Sequence, residues 1–164
     1  MSIRVVQADS AAGTAHSNTT TEGSIARKLF GAGELQPGQV WMFECAVRAT
    51  ATNSTDTLVI AVRFGSSSTV TSNTACGTTT AVDVANDDIA LVRGTLHVHS
   101  TTRAVMTITM CDIDAEGTMA MEQYVEILTI AAGTAYYLDV TADWSVASAS
   151  NSVQSEAWAV LCAV

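Results

Sequence analysis

The sequence predicts an all-β protein, an eight-stranded antiparallel sandwich, jelly-roll-like, with an extended N-terminal arm. Three observations lead there. From Pro37-Gly38 onward, β-branched and aromatic residues alternate with small polar ones, the period of two that sends successive side chains to opposite faces of a strand. Clusters of Gly, Asn, Asp and Ser break that pattern at turn-like intervals of about eight to twelve residues. The body holds no long stretch that demands the 3.6-residue period of a helix.

Residues 1–37 read as the arm and residues 38–164 as the sandwich domain. Ala, Ser, Thr, Gly and Asn dominate between Ala8 and Ser24, and the only apolar and basic knot of the arm is IARKLF, Ile25 to Phe30. So little apolar area cannot fold by itself, which predicts a segment that is disordered or laid along another surface. The arm is neutral, Arg4, Arg27 and Lys28 balancing Asp9, Glu22 and Glu34, and leaves four bases against thirteen acids in the body.

In the body, the run from Val40 to Thr50 places Trp41, Phe43, Cys45 and Val47 on one face. After the turn Asn53-Ser54-Thr55-Asp56, Leu58, Ile60, Val62 and Phe64 share a face, and the two runs are expected to form a hairpin. A Ser/Thr-rich loop, 65–80, leads to a short strand at 81–85. Further strands are expected at 89–100, 103–113, 119–130, 135–144 and 153–164. The segment MAMEQYVEILTI at 119–130 fits helical spacing through Met121, Tyr124, Val125 and Leu128, and strand spacing through Met119, Met121, Gln123, Val125 and Ile127; strand is the reading adopted. Eight antiparallel strands in one domain suit two packed sheets. An immunoglobulin-like sandwich is the rival, and its Cys…Trp…Cys signature is missing.

Composition narrows the function classes. With 16 acids against 7 bases and a formal charge of −9, the chain presents no basic field to a phosphate backbone, so nucleic acid is not an expected partner. No apolar run approaches the roughly 20 residues that cross a bilayer, and the first 18 residues resemble neither a secretory signal nor an anchor, which predicts a chain made and kept in a cytosol. Cys45, Cys76, Cys111 and Cys162 show no CxxC spacing and are expected as free buried thiols. Only 14% of residues are charged while 48% are hydrophobic, so part of the apolar surface is expected to lie under a neighbouring subunit.

Chemistry-bearing constellations are sparse. His97 and His99 alternate on one strand face, a spacing that can give two imidazoles to one metal. The cupin pattern fails around them, because Gly94 stands too near and Arg103 and Ala104 occupy the places of the glutamate ligand. Asp112, Asp114 and Glu116 could offer oxygen to calcium, but counting an EF-hand loop from Asp112 puts Gly117 correctly at its sixth position and Gln123 where the bidentate glutamate belongs. No GxSxG elbow, phosphate loop or dinucleotide fingerprint is present. The expectation is a protein without enzymatic activity, cofactor or metal.

Two segments carry a resemblance. GELQPGQVWMFECAVRATATNSTDTLVIAVRFG (33–65) and AYYLDVTADWSVASASNSVQSEAWAVL (135–161) resemble a family of bacteriophage virion modules found in capsid decoration proteins and in head or tail fibres. Leu35, Gly38, Phe43, Thr57, Leu58 and Phe64-Gly65 match its first half; Leu138 to Thr141, Trp144, Asn151 and Ser152 match its closing signature. The resemblance implies a jelly-roll-like structural protein of the virion, assembled in the host cytoplasm. Its first implication is a homotrimeric capsid decoration or cement protein that stabilises the head, with the major capsid protein and its own copies as partners. Its alternative is a fibre module that recognises a host surface glycan or protein. On the first reading the arm contacts the capsid through Ile3, Val5, Ile25, Leu29 and Phe30 as apolar anchors, with Arg27 and Lys28 meeting acidic groups.

Overall fold

The structure, a computed structural model, describes residues 2–52, 55–84, 87–113 and 119–163. Twelve strands are found among them: β1 (Ile3–Asp9), β2 (His16–Ser17), β3 (Gly23–Phe30), β4 (Val40–Thr50), β5 (Thr57–Gly65), β6 (Thr74–Thr78), β7 (Val82–Asp83), β8 (Asp88–Val98), β9 (Arg103–Ile113), β10 (Met119–Thr129), β11 (Tyr136–Trp144) and β12 (Ser152–Ala163). They form two antiparallel sheets. The larger runs β1-β12-β4-β8-β9-β10, with β2 also on β12; the smaller runs β3-β11-β5-β6, with β7 also on β5.

The pairing is nested. β1 pairs with β12, β3 with β11, β4 with β8 and β5 with β6, which is one long hairpin rolled into two layers, the topology of a jelly roll. The β9–β10 hairpin is an addition that widens the larger sheet beyond β8.

The sandwich is therefore as expected in class, but its strands are twelve rather than eight, and several come from unexpected places. Residues 1–37 are not an arm apart from the body. β1, the Gly13 N–H bonded to the Ser155 carbonyl, and β2 follow β12 along its length. β3 pairs with β11, and Ile25, Phe30 and Leu35 lie in the core. Backbone hydrogen bonds to a neighbouring strand need no apolar side chain, so a Ser/Thr-rich segment joins the sheets despite its composition. The predicted β4–β5 hairpin is also corrected. The chain crosses between layers after β4, and the buried rows of the two strands belong to opposite sheets. β6 lies within the stretch read as a loop.

Aromatic residues knit the layers together at one end. Phe30 of β3 meets Trp41 of β4 edge-on at 5.0 Å across the layers, and Phe64 stacks on Tyr136 at 5.1 Å within the smaller sheet. Further along β4, Phe43 lies across Gly94 of β8, where an added Cβ would come within 2.2 Å of its ring. Trp144 fills the core at the end of β11, in register with Leu58. The four cysteines are free, with Cys45, Cys76 and Cys162 buried. Burial pushes the Cys45 thiol up to about 12.

Candidate interaction surface

The outer faces of the two sheets differ in kind. On β11, Leu138, Val140 and Ala142 are core residues, so the pleat turns Asp139 and Thr141 to the outside, yet both are fully buried. Their cover is a polar network from the same chain. Arg27 on β3 donates from Nε to Asp139 at 2.6 Å, Ser24 donates its hydroxyl to the same oxygen at 2.7 Å, and Arg27 also reaches the Ser68 carbonyl at 3.1 Å. Glu22, in the turn before β3, accepts two bonds from Arg63 of β5 at 2.6 and 2.7 Å and one from the Thr141 hydroxyl. Arg63 in turn donates to the Asn73 carbonyl at 2.8 Å.

These contacts set the local charge states. Burial alone would raise the Glu22 carboxyl, but the hydrogen bonds from Arg63 and Thr141 and the Arg63 charge hold it below its ordinary value. Asp143, the next outward position on β11, moves the other way, raised by burial and then by the Glu22 charge. Its Oδ1 has no hydrogen-bond partner among the described residues.

Among the described residues the outer face of the larger sheet has no such cover. The register arranges it in rows across six strands. One row is Ile3, Ala163, Val40, His97, Val105 and Ile127; the next is Val5, Leu161, Met42, Thr95, Thr107 and Val125. A third holds Ala8, Ala159, Glu44, Arg93, Thr109 and Gln123; a fourth holds Ala157, Ala46, Leu91, Cys111 and Met121. In these rows the strand charges are Glu44 and Arg93, paired with each other at 2.6 Å, and the next row along, Gln154, Arg48 and Ile89, carries Arg48, paired with Glu156 at 2.7 Å and with Asp87 at 3.4 Å. At the two edges Ile3 and Val5, and Met121, Val125 and Ile127, are 58–70% exposed.

β10 explains why its apolar residues face outward. Its other face is committed to the β6 side: the Tyr124 hydroxyl lies between the Thr78 carbonyl and the Glu122 carboxylate with one proton to share between them, and Glu122 accepts from the Thr80 N–H and hydroxyl at 2.9 Å each. Tyr124 fits because Gly77 beneath it has no side chain; an added Cβ would lie 2.8 Å from the ring.

The seven residues expected to dock on a capsid are not brought together. Ile25 and Phe30 are core residues and are corrected as anchors, since folding has already used their apolar surface. Arg27 is held by Asp139, and Lys28 by Glu34 at 3.1 Å. Ile3 and Val5 stand on the open face of the larger sheet, while Leu29 is exposed on β3. Met121, Val125 and Ile127, which sequence reasoning missed as surface residues, are the largest exposed apolar group on that open face.

Other candidates are dispersed. His97 and His99 are exposed beside Gly38 and Val40, and among the described residues no group of three or more His, Cys, Asp or Glu is placed to hold a metal. The trio Asp112, Asp114 and Glu116 lies outside the described side chains. A polar groove lined by Ser66, Ser67, Asn73, Thr74 and Glu126 runs between the edges of the two sheets, with Tyr136 in its wall. No known family profile matches the chain, and neither does any curated protein.

Proposed function

We propose that this chain is a structural protein of a tailed-phage virion, a capsid decoration protein that works by binding other subunits and catalyses nothing. One observation carries the reading. A jelly roll that covers one outer face with its own ion pairs leaves the other with exposed apolar edges and its few charges paired within the chain, Glu44 with Arg93 and Arg48 with Glu156, which is the surface expected of a body that is covered by protein in use. The residues behind the resemblance support it as well, because they build the sandwich. Leu35, Phe43, Leu58, Phe64, Leu138 and Trp144 are buried, and Asn151 ties the loop before β12 to Asp56 at 3.0 Å.

Contact with the major capsid protein falls to apolar residues the fold leaves outside, Leu29 on β3 among them. A second reading, a fibre module that binds a host glycan, is favoured by the polar groove of Ser66, Ser67, Asn73, Thr74 and Glu126, since hydroxyl, amide and carboxylate groups are what sugar recognition uses.

Quantitative mass spectrometry of purified virions that carry this chain separates the readings. Hundreds of copies per particle are expected for decoration of the head. A dozen or fewer would transfer the chain to a fibre, and its absence from the particles would overturn both.

A further inference from the structure

We infer that the outer face of the larger sheet is a homodimer interface, closed by a second copy about a two-fold axis that runs along the strands between β4 and β8. The inference rests on reading that face as a docking surface, and it names the occupant.

Area is the first argument. Six strands at ~4.8 Å spacing, with outward positions every ~6.6 Å over four rows, cover roughly 750 Å². A standard interface takes about 800 Å² from each partner. The face is thus large enough to sustain a dimer by itself.

Charge is the second. The chain carries a net −9, so two copies repel each other over most of their surface. On these rows Glu44 and Arg93 cancel, and they occupy the third and fourth of the six strands, the middle of the face. A two-fold axis between those strands sets Glu44 of one copy opposite Arg93 of the other, and Arg93 opposite Glu44. The same operation sets β1 opposite β10, so that Ile3 faces Ile127 and Val5 faces Val125 along the register rows. Apolar edges therefore meet apolar edges on both sides of a charged centre that complements itself, the condition for an isologous contact. Sheets packed in this way keep their strands within about 30° of each other.

Both charged residues are half-exposed or more, so reversing either leaves the core intact. Arg93→Glu places two acids at the centre of each copy, and Glu44→Arg places two bases there. Light scattering after size exclusion on the full chain should give twice the 17.1 kDa chain mass for the wild type and the chain mass for each variant alone. Mixing the two variants should restore a mass near twice that of one chain, because their centres then attract. Circular dichroism of each variant checks that it is folded. Cys111, half-buried in the fourth row, supplies an independent reading. Its alkylation should slow as wild-type concentration rises and should stay constant in Val125→Lys.

A monomeric wild type, a trimeric mass, variants that dimerise unmixed, or folded variants whose mixture stays monomeric would each overturn the proposal. None of these outcomes bears on how many copies a virion holds, so failure here is distinct from failure of the virion reading.

Discussion

The two outer faces are built on the same pleat and end in opposite states. On the smaller sheet the pleat turns Asp139 and Thr141 outward from β11 and Arg63 outward from β5, and the chain covers them with Glu22, Ser24 and the loop around Ser68 and Asn73. On the larger sheet it turns out mostly valine, isoleucine, leucine, methionine and threonine beside the pairs Glu44–Arg93 and Arg48–Glu156, and among the described residues no segment of the chain lies over them. A buried charge is costly unless it is partnered, so the first face depends on the Arg27–Asp139 and Arg63–Glu22 contacts, although Asp139 Oδ2 and Asp143 Oδ1 have no partner among the described residues. An exposed apolar row imposes no such demand on the single chain, but it lowers the free energy of any assembly that hides it. The first face contributes to folding, and on the proposed reading the second is the one used for association.

The largest effect should come from breaking the sealed face. Arg63→Met keeps the length of the side chain but leaves Glu22 beside Thr141 without its counter-charge, in a place where both partners are mostly shielded from water. Removing one member of a buried pair costs about 3–5 kcal/mol, and the remaining exposure of these two argues for about 3. Urea denaturation near neutral pH measures it. A loss below about 1 kcal/mol would mean that the network behaves as an ordinary surface ion pair.

Acid should divide the same face into two carboxylates of opposite sign. The folded value of Glu22 is lowered, so its stabilising contribution is complete above its ordinary value of 4.5 and is lost as pH falls through the lowered one. The folded value of Asp143 is raised above its ordinary 3.8, so its ionised form opposes folding at neutral pH and that opposition is relieved as pH falls through the raised value. Asp143→Asn should therefore raise Tm modestly at pH 7 and change little at pH 3, whereas Glu22→Gln should lower Tm at pH 7 and make the curve flatter below pH 4.5. Calorimetric scans from pH 3 to 7 read both; an Asp143→Asn variant less stable than wild type at pH 7 would contradict the assigned sign.

How much of this could be read from the residues follows from what side-chain patterns encode. The alternation Trp41, Phe43, Cys45, Val47 gave away β4 and its buried face, because a period of two with large apolar residues has only one economical solution. The same rule could not say which sheet a strand joins, so the β4 and β5 rows looked like a hairpin although they face each other across the core. β1 and β2 escaped notice because they join the sheet chiefly through backbone hydrogen bonds to β12, and the few apolar residues of β1, Ile3, Val5 and Val6, make no clear alternating row. β10 is the most instructive case. Its two faces were legible as Met121, Val125 and Ile127 against Glu122, Tyr124 and Glu126, but ordinary hydrophobic logic assigns the first set to the core. The assignment reverses because Thr78 of β6 and Thr80 just after it are partners for the polar set, a long-range match that no local pattern contains. The exposure of Met121, Val125 and Ile127 was hidden from the sequence for that reason.

The open face should give the smallest effect on the single chain and a large one on its assembly. In a variant carrying Val125→Thr and Ile127→Thr, both residues remain β-branched, so strand preference is kept, and 70% and 63% exposure means little burial is lost on folding. Unfolding free energy measured at nanomolar concentration should stay within about 0.5 kcal/mol of wild type. Association adds stability by mass action, so wild-type Tm should climb with protein concentration from the nanomolar to the high micromolar range. The variant's Tm should stay level over the same range, because the edge that meets β1 of the second copy has lost its apolar groups. Parallel concentration dependence in the two proteins would place association elsewhere on the surface and remove the distinction between a face for folding and a face for assembly.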